Sequence, residues 1–270
     1  MQHHQDLLSL EESTVNAMID FYLKNQAHFT FTPDQSPQYI FSHSPRELSR
    51  WVMCLRSALE QMKETTRGEF VRLWAYEGLR TFQDRLVTTE DKIWCQRELE
   101  NIAETYFDGF NIDIAERFTQ PILFSSWMQE DYRSASRQEL RMYLSQRLKS
   151  FYEEELDVSL VVFDDVLEHV LSIDHVMRRS KGHMLLVGES GTGKTVLARF
   201  VAWLNGISVY QIKANNAYTI DRFDEDLRAL LARTGVEGEK VCFIFDESDV
   251  ISSTFYERLN ALLANGEVPG

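Results

Sequence analysis

Apolar residues recur at helical spacing through the first 110 positions. Asn16-Ala17-Met18-Ile19-Asp20-Phe21-Tyr22-Leu23 predicts the centre of a helix over about 12–26. Pro33 and Pro37, among alternating polar residues, make 30–43 a connection. Ser44-Pro45-Arg46-Glu47 reads as a helix start. Ser44 caps, Pro45 suits the first helical position and Glu47 closes a capping box. Leu48, Trp51, Val52, Leu55, Leu59 and Met62 then form one apolar stripe. A helix over 68–86 turns Phe70, Leu73, Trp74, Phe82 and Leu86 inward. Another starts near Thr89, with Leu99, Ile102, Ala103 and Tyr106 on one face. These helices predict a small bundle that buries Trp51, Trp74 and Trp94, its aromatic stripe serving as core.

Residues 108–135, with Gly109, Pro121 and the apolar Pro121-Ile122-Leu123-Phe124, read as a connection and hold the domain boundary. Ser136 to Phe151 predicts a helix with a Ser136/Glu139 capping box and an inner face of Leu140, Tyr143, Leu144, Leu148 and Phe151. Glu153-Glu154-Glu155 reads as its solvated end. Leu156 to Phe163 is short, apolar and β-branched, and a helix opens at Asp164 or Asp165 and runs to about Met177. From His183 the pattern alternates. Strands are expected at 183–187, 207–212 and 240–245, and helices at 194–204, 221–233 and 254–264, the last closed by Asn265-Gly266. That is a parallel sheet with crossovers. The expected division is 1–110, a connecting segment and helix over 111–150, and an α/β domain over 151–270.

Composition sharpens this picture only in part. The 270 residues are 44% hydrophobic and 12% aromatic, enough for a real core. The formal charge of −14 argues against non-specific nucleic-acid binding. Cys54, Cys95 and Cys242 stand at no metal spacing and form no disulfide framework, which suits a reducing compartment. No apolar run reaches the ~20 residues of a membrane span, and no secretory signal is visible. The expected setting is the cytoplasm, with neither nucleic acid nor membrane as a partner.

The chemistry concentrates at Gly188-Glu189-Ser190-Gly191-Thr192-Gly193-Lys194-Thr195, which fits G-x-x-x-x-G-K-[ST] without a mismatch. An apolar run precedes it and a helical pattern follows, the context this motif requires. Gly188, Gly191 and Gly193 let backbone N–H groups approach phosphate oxygens, and the helix that opens there turns its positive dipole end toward them. Lys194 reaches the β- and γ-phosphates, and the hydroxyl of Thr195 can ligate Mg²⁺. A second element is the apolar Lys240-Val241-Cys242-Phe243-Ile244-Phe245, which delivers Asp246-Glu247-Ser248. Asp246 is expected to hold Mg²⁺, and Glu247 to polarise the attacking water as the catalytic residue. The cofactors expected are ATP and Mg²⁺.

Longer strings carry a resemblance. Phe151-Tyr152-Glu153-Glu154-Glu155-Leu156-Asp157-Val158, Arg199-Phe200-Val201-Ala202-Trp203-Leu204-Asn205-Gly206, Val209-Tyr210-Gln211-Ile212-Lys213, Phe223-Asp224-Glu225-Asp226-Leu227-Arg228 and Leu262-Leu263-Ala264-Asn265-Gly266-Glu267-Val268-Pro269-Gly270 look like the fourth AAA+ module of the cytoplasmic dynein heavy chain family. Ser44-Pro45-Arg46-Glu47-Leu48-Ser49-Arg50-Trp51 and Leu79-Arg80-Thr81-Phe82-Gln83-Asp84-Arg85-Leu86 resemble the helical lid of the preceding, third module.

The resemblance implies a helical AAA+ lid followed by an incomplete three-layer P-loop α/β domain. It implies a ring of six modules in a microtubule motor ATPase of the cytoplasm and cytoskeleton, moving toward the minus end. The partners it implies are the rest of the heavy-chain ring, microtubules, and dynein intermediate and light chains. Arg46 is then the lid arginine of the third module's site, or else a surface arginine. Leu160 and Val161, within Val158 to Val162, either pack on adenine or form a plain core strand. AAA+ sheets run 5-1-4-3-2, which places the fourth strand, the sensor residue, the arginine finger and the microtubule contact outside these residues, and Met1 need not be a true start.

Three readings compete. The first is a motor ATPase segment, and the second a nucleotide-binding structural module without turnover. The presence of Glu247 favours the first. A P-loop kinase of small molecules is the third, and it does not account for the helical strings.

Overall fold

The computed structural model describes residues 2–29, 44–129, 131–155, 164–179, 182–212, 218–246, 250 and 252–266. The chain divides into two compact units, Met1–Leu140 and Arg141–Gly270.

The first unit is helical: α1 (Gln2–His28), α2 (Pro45–Glu60), α3 (Arg67–Phe82), α4 (Thr89–Phe107) and the short α5 (Ile114–Arg117). Its core gathers Phe21, Trp51, Trp74, Phe82, Leu99, Ile102 and Phe107. Each such side chain contributes about 1.5–3 kcal/mol when fully buried. Trp51 and Trp74 are both 0% exposed. Their rings sit 5.1 Å apart, and the Trp51 indole N–H donates to the Trp74 carbonyl at 3.0 Å. The third expected core tryptophan, Trp94, is only partly buried. Its ring stacks on His28 at 3.7 Å, at the edge where α1 meets α4. Val52 is exposed as well, because α2 turns the narrower arc of Trp51, Leu55 and Ala58 inward.

The caps differ from expectation in detail. Ser44 caps α2 by accepting the Arg46 N–H, and its hydroxyl donates to Glu47 at 2.9 Å, so the box is not reciprocal. A full capping box stands instead at Thr66 and Glu69, which starts α3. The Ser136/Glu139 box forms as expected, with both backbone N–H groups taken up. The predicted connection over 108–135 is more structured than its composition suggests. It holds a 3₁₀ turn (Asp108–Phe110), α5 and an antiparallel pair, β1 (Phe124–Ser125) with β2 (Arg133–Ser134). Arg72 organises this segment, donating to the Arg117, Thr119 and Pro121 carbonyls and to the Ser134 hydroxyl. Long-range pinning by one half-buried arginine leaves no local sequence signal.

α6 (Arg137–Glu155) leads into the second unit, which continues with α7 (Asp164–Met177), α8 (Lys194–Leu204), β3 (Ser208–Gln211), α9 (Ile220–Gly235), β4 (Val241–Ile244) and α10 (Ser253–Asn265). β3 and β4 pair in parallel, Ser208 opposite Val241 through Gln211 opposite Ile244. Phe223, Leu227, Leu230 and Phe255 form a core with Ile212, into which Tyr210, Phe243 and Phe245 pack. Asp224 on α9 accepts two bonds from Arg258 on α10, at 3.0 and 3.1 Å. Gly266 ends α10 at φ 72°, its N–H on the Leu262 carbonyl.

The strand expected at 183–187 is absent, and this is the main correction. Residues 182–189 carry no regular structure, and Leu185 and Val187 are each 85% exposed. An apolar run becomes a strand only when a neighbour takes up its N–H and C=O groups. Among the described residues the sheet consists of β3 and β4, and neither pairs with this run. The expected strand of Leu156 to Phe163 lies outside the described residues.

Candidate nucleotide-binding site

The glycine loop turns where its residues allow it. Gly191 and Gly193 stand at φ 82° and 81°, in the left-handed region that only glycine enters without strain. Gly193 is the N-cap of α8, so Lys194 and Thr195 occupy the helix's first turn. The N–H groups of that turn lack intrahelical partners, and the first turn carries no acidic residue. Residues 188–192 are exposed and 193–195 half-buried, so the loop faces solvent.

Lys194 is folded onto the loop. Its ammonium donates to the Gly188 and Glu189 carbonyls at 2.7 and 2.6 Å. The Thr192 hydroxyl also donates to the Glu189 carbonyl, at 2.9 Å. The cation therefore sits at the centre of the loop that the motif describes. Two loop carbonyls are modest partners for an ammonium, and an anionic group is a stronger one.

Thr195 reaches across the fold. Its hydroxyl lies 3.4 Å from Asp246 Oδ2, although 51 residues separate the two in sequence. Asp246 follows β4 and is half-buried. A hydroxyl and a carboxylate oxygen converging at the start of a glycine-loop helix are the hard oxygen donors that Mg²⁺ selects. The residues present therefore fit that ion.

Of the other expected residues, Arg46 is exposed in the first turn of α2 in the first unit. Glu247, Leu160 and Val161 lie outside the described residues. Cys242, in β4, has its thiol pushed up by burial and behaves as a small core residue.

Two contacts at the far end of α8 were not expected. Glu154, read as solvated, accepts the Trp203 indole N–H at 2.8 Å, and the Arg147 guanidinium lies 4.5 Å over the Trp203 ring. Asn205 donates its amide to Asp174 Oδ1 on α7 at 2.8 Å. The Asn205-Gly206 pair was a visible helix-stop signal. Nothing local marked Asp174 as its partner.

Two family profiles match the chain. One, described as "Dynein heavy chain, ATPase lid domain", covers residues 1–92, and the other, "P-loop containing dynein motor region D4", covers 158–270. The cytoplasmic dynein heavy chain of Dictyostelium discoideum is 52% identical over 265 residues, 98% of this chain. That of Caenorhabditis elegans is 51% identical over 261 residues, 97% of the chain. Dynein heavy chain-like protein 1 of Plasmodium falciparum is 47% identical over 262 residues, also 97%. The chain spans 6%, 6% and 5% of the lengths of these three relatives.

Proposed function

This chain belongs to the cytoplasmic dynein heavy chain family, and on that premise we propose that its second unit binds Mg-ATP as part of a microtubule motor ATPase. A P-loop AAA+ region implies nucleotide binding. Here Gly188, Glu189, Ser190, Gly191, Thr192 and Gly193 wrap the phosphates with backbone N–H groups. Lys194 leaves the loop carbonyls for the β- and γ-phosphates. Thr195 and Asp246 hold the magnesium, which neutralises phosphate charge, and Glu247 orients the attacking water. Leu160 and Val161 pack against the adenine. Arg46 serves a different site, as the lid arginine of the preceding module. The intact protein works in the cytoplasm on microtubules, within a ring of AAA+ modules and together with intermediate and light chains.

The observation that carries this reading is the approach of Thr195 to Asp246 beside Lys194. The test is Lys194→Ala in the intact protein. Charge-assisted contacts contribute about 1.5–3 kcal/mol each, so ATP affinity at this module should fall at least ~10-fold. Affinity unchanged from wild type would reject the site. Glu247→Gln then separates turnover from binding alone. It should keep Mg-ATP bound and stop its hydrolysis here, whereas a module that only binds shows no change.

A further inference from the structure

The buried polar groups at the far end of α8 are not accounted for by nucleotide contact. Asp174 is 3% exposed, on a helix whose neighbouring Val170, Leu171 and Ile173 are core residues. Arg178 donates to its Oδ2 at 2.6 Å, and Asn205 to its Oδ1 at 2.8 Å. The same Asn205 amide donates to the Val201 carbonyl at 2.9 Å. The Asn205 backbone N–H closes the helix on the Val201 and Ala202 carbonyls, and the chain turns at Gly206 into β3. One side chain therefore ties the last turn of α8 to α7.

Burying a carboxylate costs free energy even when it is paired, and desolvation pushes the Asp174 carboxyl above its ordinary range. Apolar residues of similar size often serve stability as well or better. What a buried polar link offers instead is a unique register. That register matters because the other end of the same helix carries Lys194 and Thr195. Eleven residues span roughly 16 Å, so a tilt of roughly 5° at Asn205 moves Thr195 by about 1 Å. Thr195 stands 3.4 Å from Asp246, and a shift of that size breaks their shared grip on one ion.

We propose that Asp174 and Asn205 are positioning residues for the magnesium site: their hydrogen bond sets the tilt of α8, and through it the separation of Thr195 from Asp246. The pair touches neither nucleotide nor metal. The inference rests on the reading of Thr195 and Asp246 as the Mg²⁺ holders.

The readout is the ratio of ATP affinity in Mg²⁺ to that in EDTA. It is measured by crosslinking azido-ATP to the intact protein and mapping the label to residues 151–270. Loss of folded protein lowers both affinities equally and leaves the ratio unmoved. Asn205→Ala, which removes the tie and keeps the Asp174–Arg178 pair, should cut the ratio at least fivefold. Asp174→Asn keeps an oxygen acceptor in the same place and should hold the ratio within twofold of wild type. Asp174→Ala should behave as Asn205→Ala does. An Asn205→Ala ratio equal to wild type overturns the inference, as does an equal fall for Asn205→Ala and Asp174→Asn. Thr195→Val is the control for the underlying reading. If it too leaves the ratio intact, the magnesium assignment itself is wrong, and that failure is distinguishable from the first.

Discussion

Thr195 Oγ1 lies 3.4 Å from Asp246 Oδ2, joining the start of α8 to the residue that follows β4 and its next neighbour, Phe245. The two belong to different motifs and meet only because the chain folds. If they share one Mg²⁺, removing the hydroxyl should act through the metal alone. Thr195→Val keeps the β-branched shape, so the helix start survives. ATP affinity in Mg²⁺ should fall to its EDTA value, and the EDTA value should stay put. Affinity measured with and without the metal checks this.

Much of this arrangement was readable beforehand. The glycine loop, Lys194, Thr195 and Asp246 were visible because each needs a particular residue type at a particular spacing. The helices of the first unit followed from apolar periodicity, and β3 and β4 from short β-branched runs. Long-range polar links were not readable. Arg72 holding three carbonyls, and Asp174 meeting Asn205, join residues distant in sequence with no local signature. The run at 183–187 fails for a related reason. Its composition suits a strand, but strand structure belongs to a pair, and a run's partner is not written in its own residues.

Gly78 shows how tightly the first unit is packed. A Cβ there would sit 2.7 Å from Trp51 Cζ2 and 3.0 Å from Cε2. Trp51 has no room to give, being fully buried and held by its bond to the Trp74 carbonyl. Overpacking of this kind costs about 1–3 kcal/mol. The helix gains about 1 kcal/mol back from replacing glycine by alanine. Gly78→Ala should therefore lower the melting temperature of the first unit, followed by tryptophan fluorescence. Gly109→Ala, with open space around its position, is the control and should leave it unchanged.

Glu239 ties the turn before β4 to α9 and β3. Arg233 holds it at 2.8 and 2.9 Å, and Ser208 donates to it at 2.5 Å. These bonds, Arg233 first, pull its carboxyl from 4.5 down to about 2. A carboxylate depressed in the folded state stabilises the fold above its unfolded value and loses that contribution as pH falls. Stability should therefore decline between pH 4.5 and about 2 through this group. Glu239→Gln should lower stability at neutral pH and flatten the decline in that window. Denaturant unfolding at a series of pH values, on wild type and variant, measures both.

The last prediction concerns turnover by residues 1–270 alone. α8 is fixed at its far end by Asp174 through Asn205 and by Glu154 through Trp203. The opposite approach to the loop is not fixed. Among the described residues no strand pairs with 183–187, and Leu185 and Val187 face solvent. The backbone N–H groups of the loop thus hang between one anchored helix and one unsupported run. Phosphoryl transfer depends on position, and an error of about 1 Å can cost on the order of 100-fold in rate. Exposed edges of the run and of β3 and β4 also invite association between chains. Polypeptide 1–270 should therefore hydrolyse ATP no faster than its own Glu247→Gln variant. A steady rate from monodisperse protein, lost in that variant, would show that the loop is held well enough without a strand beside it.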